Sequence, residues 1–82
     1  MKFHVRIRVR LKDIYFDPEG EATKKSLKML GYPVTNVRVS KLYDIHLEAN
    51  NLEEAKKLAD EICKRLLANP VKDTYNFEVI EG

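Results

Sequence analysis

An 82-residue chain with one cysteine and a net charge of +2 has room for a single domain and for no internal disulfide. Its 15 basic and 13 acidic side chains nearly balance, too weak a bias to imply nucleic acid, and no apolar stretch approaches a membrane span. A chain this short buries only about 60% of its unfolded surface, so oligomerisation is the expected source of further stability. No N-terminal apolar run resembles a signal peptide, and a reducing, cytoplasmic setting is expected.

The first segment alternates strictly: Phe3, Val5, Ile7, Val9 and Leu11 on one side, Lys2, His4, Arg6, Arg8, Arg10 and Lys12 on the other. Period two over ten residues predicts a half-buried strand. Asp17-Pro18-Glu19-Gly20 then predicts a helix start, with Asp17 as the N-cap and Pro18 at the first helical position, where its missing donor costs nothing. The helix carries a stripe of Ala22, Thr23, Ser26, Leu27, Met29 and Leu30, whose small members predict a close approach to whatever it covers. Gly31 fits the left-handed position after the helix, and Pro33 prevents its resumption.

From Asn36 to Ala49 the odd positions are apolar except Lys41, and Ser40-Lys41-Leu42 is the best place for a turn between two strands. Asn51 and Glu54 form a capping-box-like pair before a helix predicted over Leu52–Ala68, with a stripe of Leu52, Ala55, Leu58, Ala59, Ile62 and Leu66. Glu53–Lys57, Asp60–Lys64 and Glu61–Arg65 are i,i+4 pairs with the acid leading. Asn69-Pro70 ends this helix, and Tyr75, Phe77 and Val79 alternate inward along a last strand. The order β-α-β-β-α-β is the ferredoxin-like pattern of the α+β class, one antiparallel sheet with two helices on one face. In its usual order, 4-1-3-2, the second and fourth strands are edges. At least one edge, the last strand foremost, is expected in a subunit interface.

The arginines of the first strand form the largest charge feature. Asp44, His46, Glu48 and Glu78 are expected opposite them, with pairings near Arg6–Glu48 and Arg10–Asp44, so a cross-strand charge ladder is favoured over RNA binding. An RNA-reading sheet of this topology stacks bases on aromatic side chains, and the outward positions hold none. His4 and His46 are placed to face one another near Asp44, but the arginines and the missing third ligand argue against a metal. Cys63 reads as a small buried hydrophobe near a helix C-terminus, where the dipole opposes a thiolate. No glycine-rich phosphate loop and no nucleophile–base arrangement stands out.

Two segments resemble a known family. Asp17-Pro18-Glu19-Gly20-Glu21-Ala22 resembles the D-P-x-G segment before the first helix of the PurS family. The run from Ile62 to Val71, which contains Cys63, Leu66, Leu67, Asn69 and Pro70, with Tyr75 beyond it, resembles that family's cysteine-bearing L-L-x-N-P-V segment and last-strand tyrosine. Gly31 and then Val37-Arg38-Val39-Ser40-Lys41 look like its V-R-x-G-K hairpin, with Ser40 where the family usually has glycine. The resemblance implies a non-catalytic accessory subunit of phosphoribosylformylglycinamidine synthase. Such a subunit bridges a glutaminase subunit and a large synthetase subunit, and is itself a homodimer or homotetramer. It implies no cofactor on this chain, with ATP and Mg2+ used by the complex. Arg38, Lys41, Tyr75 and Phe77 are the candidate interface residues, and Ile14-Tyr15-Phe16 is a further contact patch. The remaining motif residues have structural roles.

Two rival readings stand beside it, and the first shares the topology. A small-molecule-binding module of the ACT type has a similar acidic, proline- and glycine-bearing first loop, but apolar residues follow its glycine, whereas Glu21 follows Gly20. An acylphosphatase-like enzyme needs a glycine-rich anion loop where Leu11-Lys12-Asp13-Ile14-Tyr15-Phe16 stands.

Overall fold

Strand β1, Lys2–Leu11, forms the middle of the molecule because both of its edges are paired. The computed structural model describes residues 1–82. Phe3, Val5, Ile7 and Val9 are all buried, as the alternation requires. Strand β2, Ser40–Glu48, runs antiparallel on one side with Arg6 opposite Asp44. Strand β3, Asp73–Glu81, runs antiparallel on the other with Arg6 opposite Glu78. The sheet therefore has three strands, in the order β2-β1-β3.

The α+β class and the antiparallel sheet with central β1 are as the sequence predicts, but the element order is β-α-β-α-β. The expected hairpin at Ser40-Lys41-Leu42 does not form. Residues 32–39 lie outside any strand, and the chain runs straight from Val39 into β2. Two causes are visible. No residue other than glycine takes a positive φ, and a tight hairpin turn demands one, which Ser40 does not supply. In addition the Val39 amide donates to the Asp17 carboxylate at 2.8 Å, which commits that end of the segment elsewhere. The β1–β2 register is consequently four residues from the expected one: Arg10 faces Ser40 and Lys2 faces Glu48.

Helix α1, Pro18–Met29, starts as predicted, with the Gly20 amide donating to Asp17 at 3.0 Å and proline in the first turn. It ends in a Schellman closure. The Gly31 amide donates to the Lys28 carbonyl and that of Tyr32 to Leu27, both at 3.0 Å, with Gly31 at φ 94. Its expected apolar stripe, however, covers nothing in this chain. Gly20 is its only buried residue, and Met29 and Leu30 are 87% and 74% exposed. The helix makes at most slight contact with the strands and the second helix.

Helix α2, Leu52–Ile62, is capped by Asn51, which accepts from the Glu54 amide at 2.8 Å. It lies over β1 and β3, with Ala55, Ala59 and Cys63 fully buried against the sheet. The predicted helix to Ala68 continues as a π-helical turn over Cys63–Leu67, closed by the Ala68 amide on the Cys63 carbonyl at 2.9 Å. A π turn widens the helix and turns the side chains less per residue. Leu66, placed on the buried stripe by an unbroken helical period, is accordingly 80% exposed, and Leu67 is half-buried in its stead.

Candidate functional surface

Three groups of polar side chains stand on this frame. The first is a neck at the root of α1. The Asp17 carboxylate is buried and accepts from the amides of Gly20 and Val39, which hold its pKa below the ordinary 3.8 with help from the Arg38 charge. The Arg38 guanidinium donates to the carbonyls of Tyr15, Lys12 and Leu11 at 2.9, 3.0 and 3.3 Å. At Gly20 a Cβ would stand 2.4 Å from the Val37 carbonyl oxygen, so only glycine lets the returning chain lie this close. Pro18 and Gly20 thus serve the neck along with Asp17, and Arg38, a candidate interface residue, spends its donors inside the chain.

The second group ties α2 to β3. The Tyr75 hydroxyl donates to Asp60 Oδ1 at 2.6 Å, and Lys64 Nζ lies 2.8 Å from Asp60 Oδ2. Lys64 and then Tyr75 lower the Asp60 pKa, while Asp60 raises the pKa of both partners. Of the three i,i+4 pairs read from the sequence, Asp60–Lys64 is the one that closes to ion-pair distance. Beside it Asn69 accepts from the amides of Val71 and Lys72, and Asp73 accepts from the amide of Asn69, so Asn69-Pro70 forms a braced turn into β3. Cys63 is fully buried, and desolvation first, then the Asp60 charge, pushes its thiol pKa up, the reverse of an activated nucleophile. Sequence reasoning found the members of this group but not the Tyr75–Asp60 bond, which joins positions 15 residues apart.

The third group is the open face of the sheet. His4 and His46 stack with ring centroids 4.6 Å apart, and His4 Nε2 is 2.8 Å from Asp44, which also takes a 3.3 Å contact from Arg6. His4 and then Arg6 hold the Asp44 pKa below its ordinary value. Arg6 reaches Glu78 at 4.0 Å and Arg10 reaches Asp13 at 3.3 Å, so part of the expected charge ladder exists, with different partners. Arg8 faces uncharged Leu42 and Asn76 and has no acidic partner within ion-pair distance. A shallow depression of about 370 Å³ lies there, lined by Arg6, Arg8, Leu42, Asn76 and Glu78 among others. No three His, Cys, Asp or Glu side chains converge as a metal-binding set.

The other candidate interface residues are dispersed. Lys41 is exposed on β2, whereas Tyr75 and Phe77 are half-buried on the α2 side of β3. Leu66 lies exposed on the π turn, and Ile14 and Phe16 protrude beside the neck, 85% and 71% exposed. Met29, Leu30 and Tyr32, at the far end of α1, were missed, because an apolar stripe on a helix reads as covered.

A small α+β chain whose polar groups satisfy one another while large apolar side chains face outward has the build of an assembly subunit. The family model described as PurS, phosphoribosylformylglycinamidine (FGAM) synthase, matches residues 4–81. The phosphoribosylformylglycinamidine synthase subunit PurS of Archaeoglobus fulgidus is 44% identical over 71 residues, covering 85% of this chain and 89% of its own. The structure of Thermus thermophilus PurS superposes with a TM-score of 0.91 at 38% identity, covering 100% of this chain and 99% of its own. The structure of PurLQS from Thermotoga maritima contains a chain with a TM-score of 0.90 at 31% identity, covering 98% of this chain and 99% of that one. The chain belongs to the PurS family, subunits of the FGAM synthase of purine biosynthesis.

Proposed function

We propose that this chain joins the glutaminase and the ATP-dependent synthetase subunits of FGAM synthase, so that ammonia released from glutamine is used to aminate formylglycinamide ribonucleotide. The observation that carries the reading is the likeness over nearly the whole chain to a member of the Thermotoga maritima PurLQS assembly. In this reading the glutaminase hydrolyses the glutamine amide, and the synthetase, using ATP and Mg2+, makes the amidine. The chain supplies contact surface, works as a homodimer or homotetramer, and resides in the cytoplasm. The tightly self-paired polar groups support a scaffolding role, since each carboxylate with a lowered pKa is engaged by a partner within the chain.

Reconstitution tests the reading. Glutamine-dependent FGAM formation is measured with the synthetase and glutaminase subunits, with and without this chain, and with ammonium salt as the nitrogen source. Omission is expected to lower the glutamine-dependent rate at least tenfold and to leave the ammonia-dependent rate within about twofold, since chemistry on the synthetase does not need the bridge. Equal glutamine-dependent rates and unchanged co-purification of the two large subunits would defeat it.

A further inference from the structure

The open face of the sheet, opposite α2, matches its charges unevenly. Where β1 begins, every cation has a polar partner across a strand: Lys2 faces Glu48, His4 faces His46, and Arg6 faces Asp44 and Glu78. From Arg8 onward the acids stop. Arg8 stands between Leu42 and Asn76, and Arg10 between Ser40 and Thr74, all four uncharged. Arg10 recovers a partner from the following loop, Asp13 at 3.3 Å. Arg8 has none.

Outward residues two apart on a strand stand about 6.6 Å from each other, so Arg8 sits between two further guanidinium groups with its own charge unmatched. The shallow depression of about 370 Å³ lies over it. On one flank Leu42 is 56% exposed, and on the other the exposed Asn76 offers amide donors beside the guanidinium. A planar guanidinium with an amide next to it suits a carboxylate, which accepts two parallel N–H bonds from arginine. The depression is too shallow to enclose a small molecule, as a ligand site of its own requires. Nucleic acid is disfavoured because Asp44 and Glu78 lie one row away and repel phosphate, and no outward Phe, Tyr or Trp offers a stacking surface. A second copy would bring the same arginines, and its Asp44 and Glu78 are already engaged by Arg6.

We propose that this half of the open face docks an acidic segment of an enzyme subunit in the assembly. A carboxylate of that segment is held by Arg8 and Asn76, and a neighbouring apolar side chain of the segment lies on Leu42. Asp44 and Glu78 repel acids from the next row and so fix where the segment sits. The docking surface deepens the proposed bridging role and rests on it.

Binding of this chain to the synthetase and glutaminase subunits, singly and together, tests the site by biolayer interferometry. Arg8→Glu is expected to weaken binding to one of them at least tenfold. Asn76→Asp, which hands Arg8 a carboxylate from its own sheet, is expected to weaken it at least threefold. Lys56→Glu, the same charge change on the exposed side of α2, is expected to stay within about twofold. Far-UV circular dichroism and sedimentation unchanged from the parent show that the fold and self-association persist in each variant. Arg8→Lys then identifies the occupant, because a carbodiimide joins the introduced amine to a carboxylate in contact with it, and peptide mass spectrometry locates the bond. A cross-link from position 8 to an Asp or Glu of the synthetase or glutaminase supports the site. A cross-link to a second copy of this chain, or none from position 8, overturns it. So does an Arg8→Glu chain that binds like the parent, or an equal loss in Lys56→Glu, which marks attraction of net charge alone. Those outcomes leave the bridging role standing. A parent chain that binds neither subunit, alone or together, overturns both.

Discussion

Asp17 shows how much one side chain can hold in a small protein. Its carboxylate caps α1 through the Gly20 amide and secures the returning strand through the Val39 amide, 22 residues on. Both bonds favour the ionised form, so the folded pKa lies below the unfolded value, near 3.8. The stabilisation is therefore complete above that value and is lost as pH falls through the folded pKa, because the unfolded chain then binds the proton more readily. Asp44 and Asp60 shift in the same direction. Thermal melts followed by circular dichroism should show a midpoint that is level near neutrality and falls below about pH 4. Asp17→Asn keeps one carbonyl acceptor but turns an amide donor toward the other N–H group. It should melt lower at pH 7 and show a shallower acid decline. An unchanged acid slope would assign the decline to the other two carboxylates.

Helix α2 rests on the sheet through small side chains. Ala55, Ala59 and Cys63 have no exposed surface, which lets the helix backbone come close to β1 and β3. Ala59→Leu should cost about 1–3 kcal/mol by overpacking, a fall of roughly 4–8 °C in melting midpoint for each kcal/mol in a domain of this size. Leu66→Ala, on the same predicted stripe but beyond the start of the π turn, should stay within about 0.5 kcal/mol of the parent. Urea denaturation of both variants measures this contrast, and a cost for Leu66 equal to that for Ala59 would mean that the stripe runs unbroken. Such details mark where the sequence stops being informative. The strand periods, the Asp17 and Asn51 caps and the Gly31 stop were legible because each depends on neighbours within a few residues. The π turn was not, since a helical period carries no mark of where it widens. The missing hairpin was not either, because Val37 and Val39 alternate as strand residues do, while the bond that draws the Val39 amide to Asp17 spans 22 residues. The neck was half legible: Asp17 announced a cap, but its second bond, to Val39, and the Arg38 contacts span 22 to 27 residues and have no local signature.

At the scale of the molecule, the balance between core and surface sets how the protein behaves in solution. Only 11 of 82 residues are buried, and the core splits into a cluster of six around Val5, Ile7 and Cys63 and a cluster of three around Phe3. A domain of this size draws little stability from such a core, and in the proposed homo-oligomer an interface between copies would add to it by mass action. The melting midpoint should therefore depend on protein concentration. A two-state unfolding of a dimer to two chains gains about 1.4 kcal/mol per tenfold rise in concentration. Set against an unfolding entropy of about 2.1 cal/mol/K per residue, that raises the midpoint by about 4 °C per decade. Melts at 5, 50 and 500 μM, read by calorimetry, decide the matter. A rise of this size shows folding and association as one transition. A midpoint that does not move means that the three-stranded sheet and its single covering helix hold without a partner.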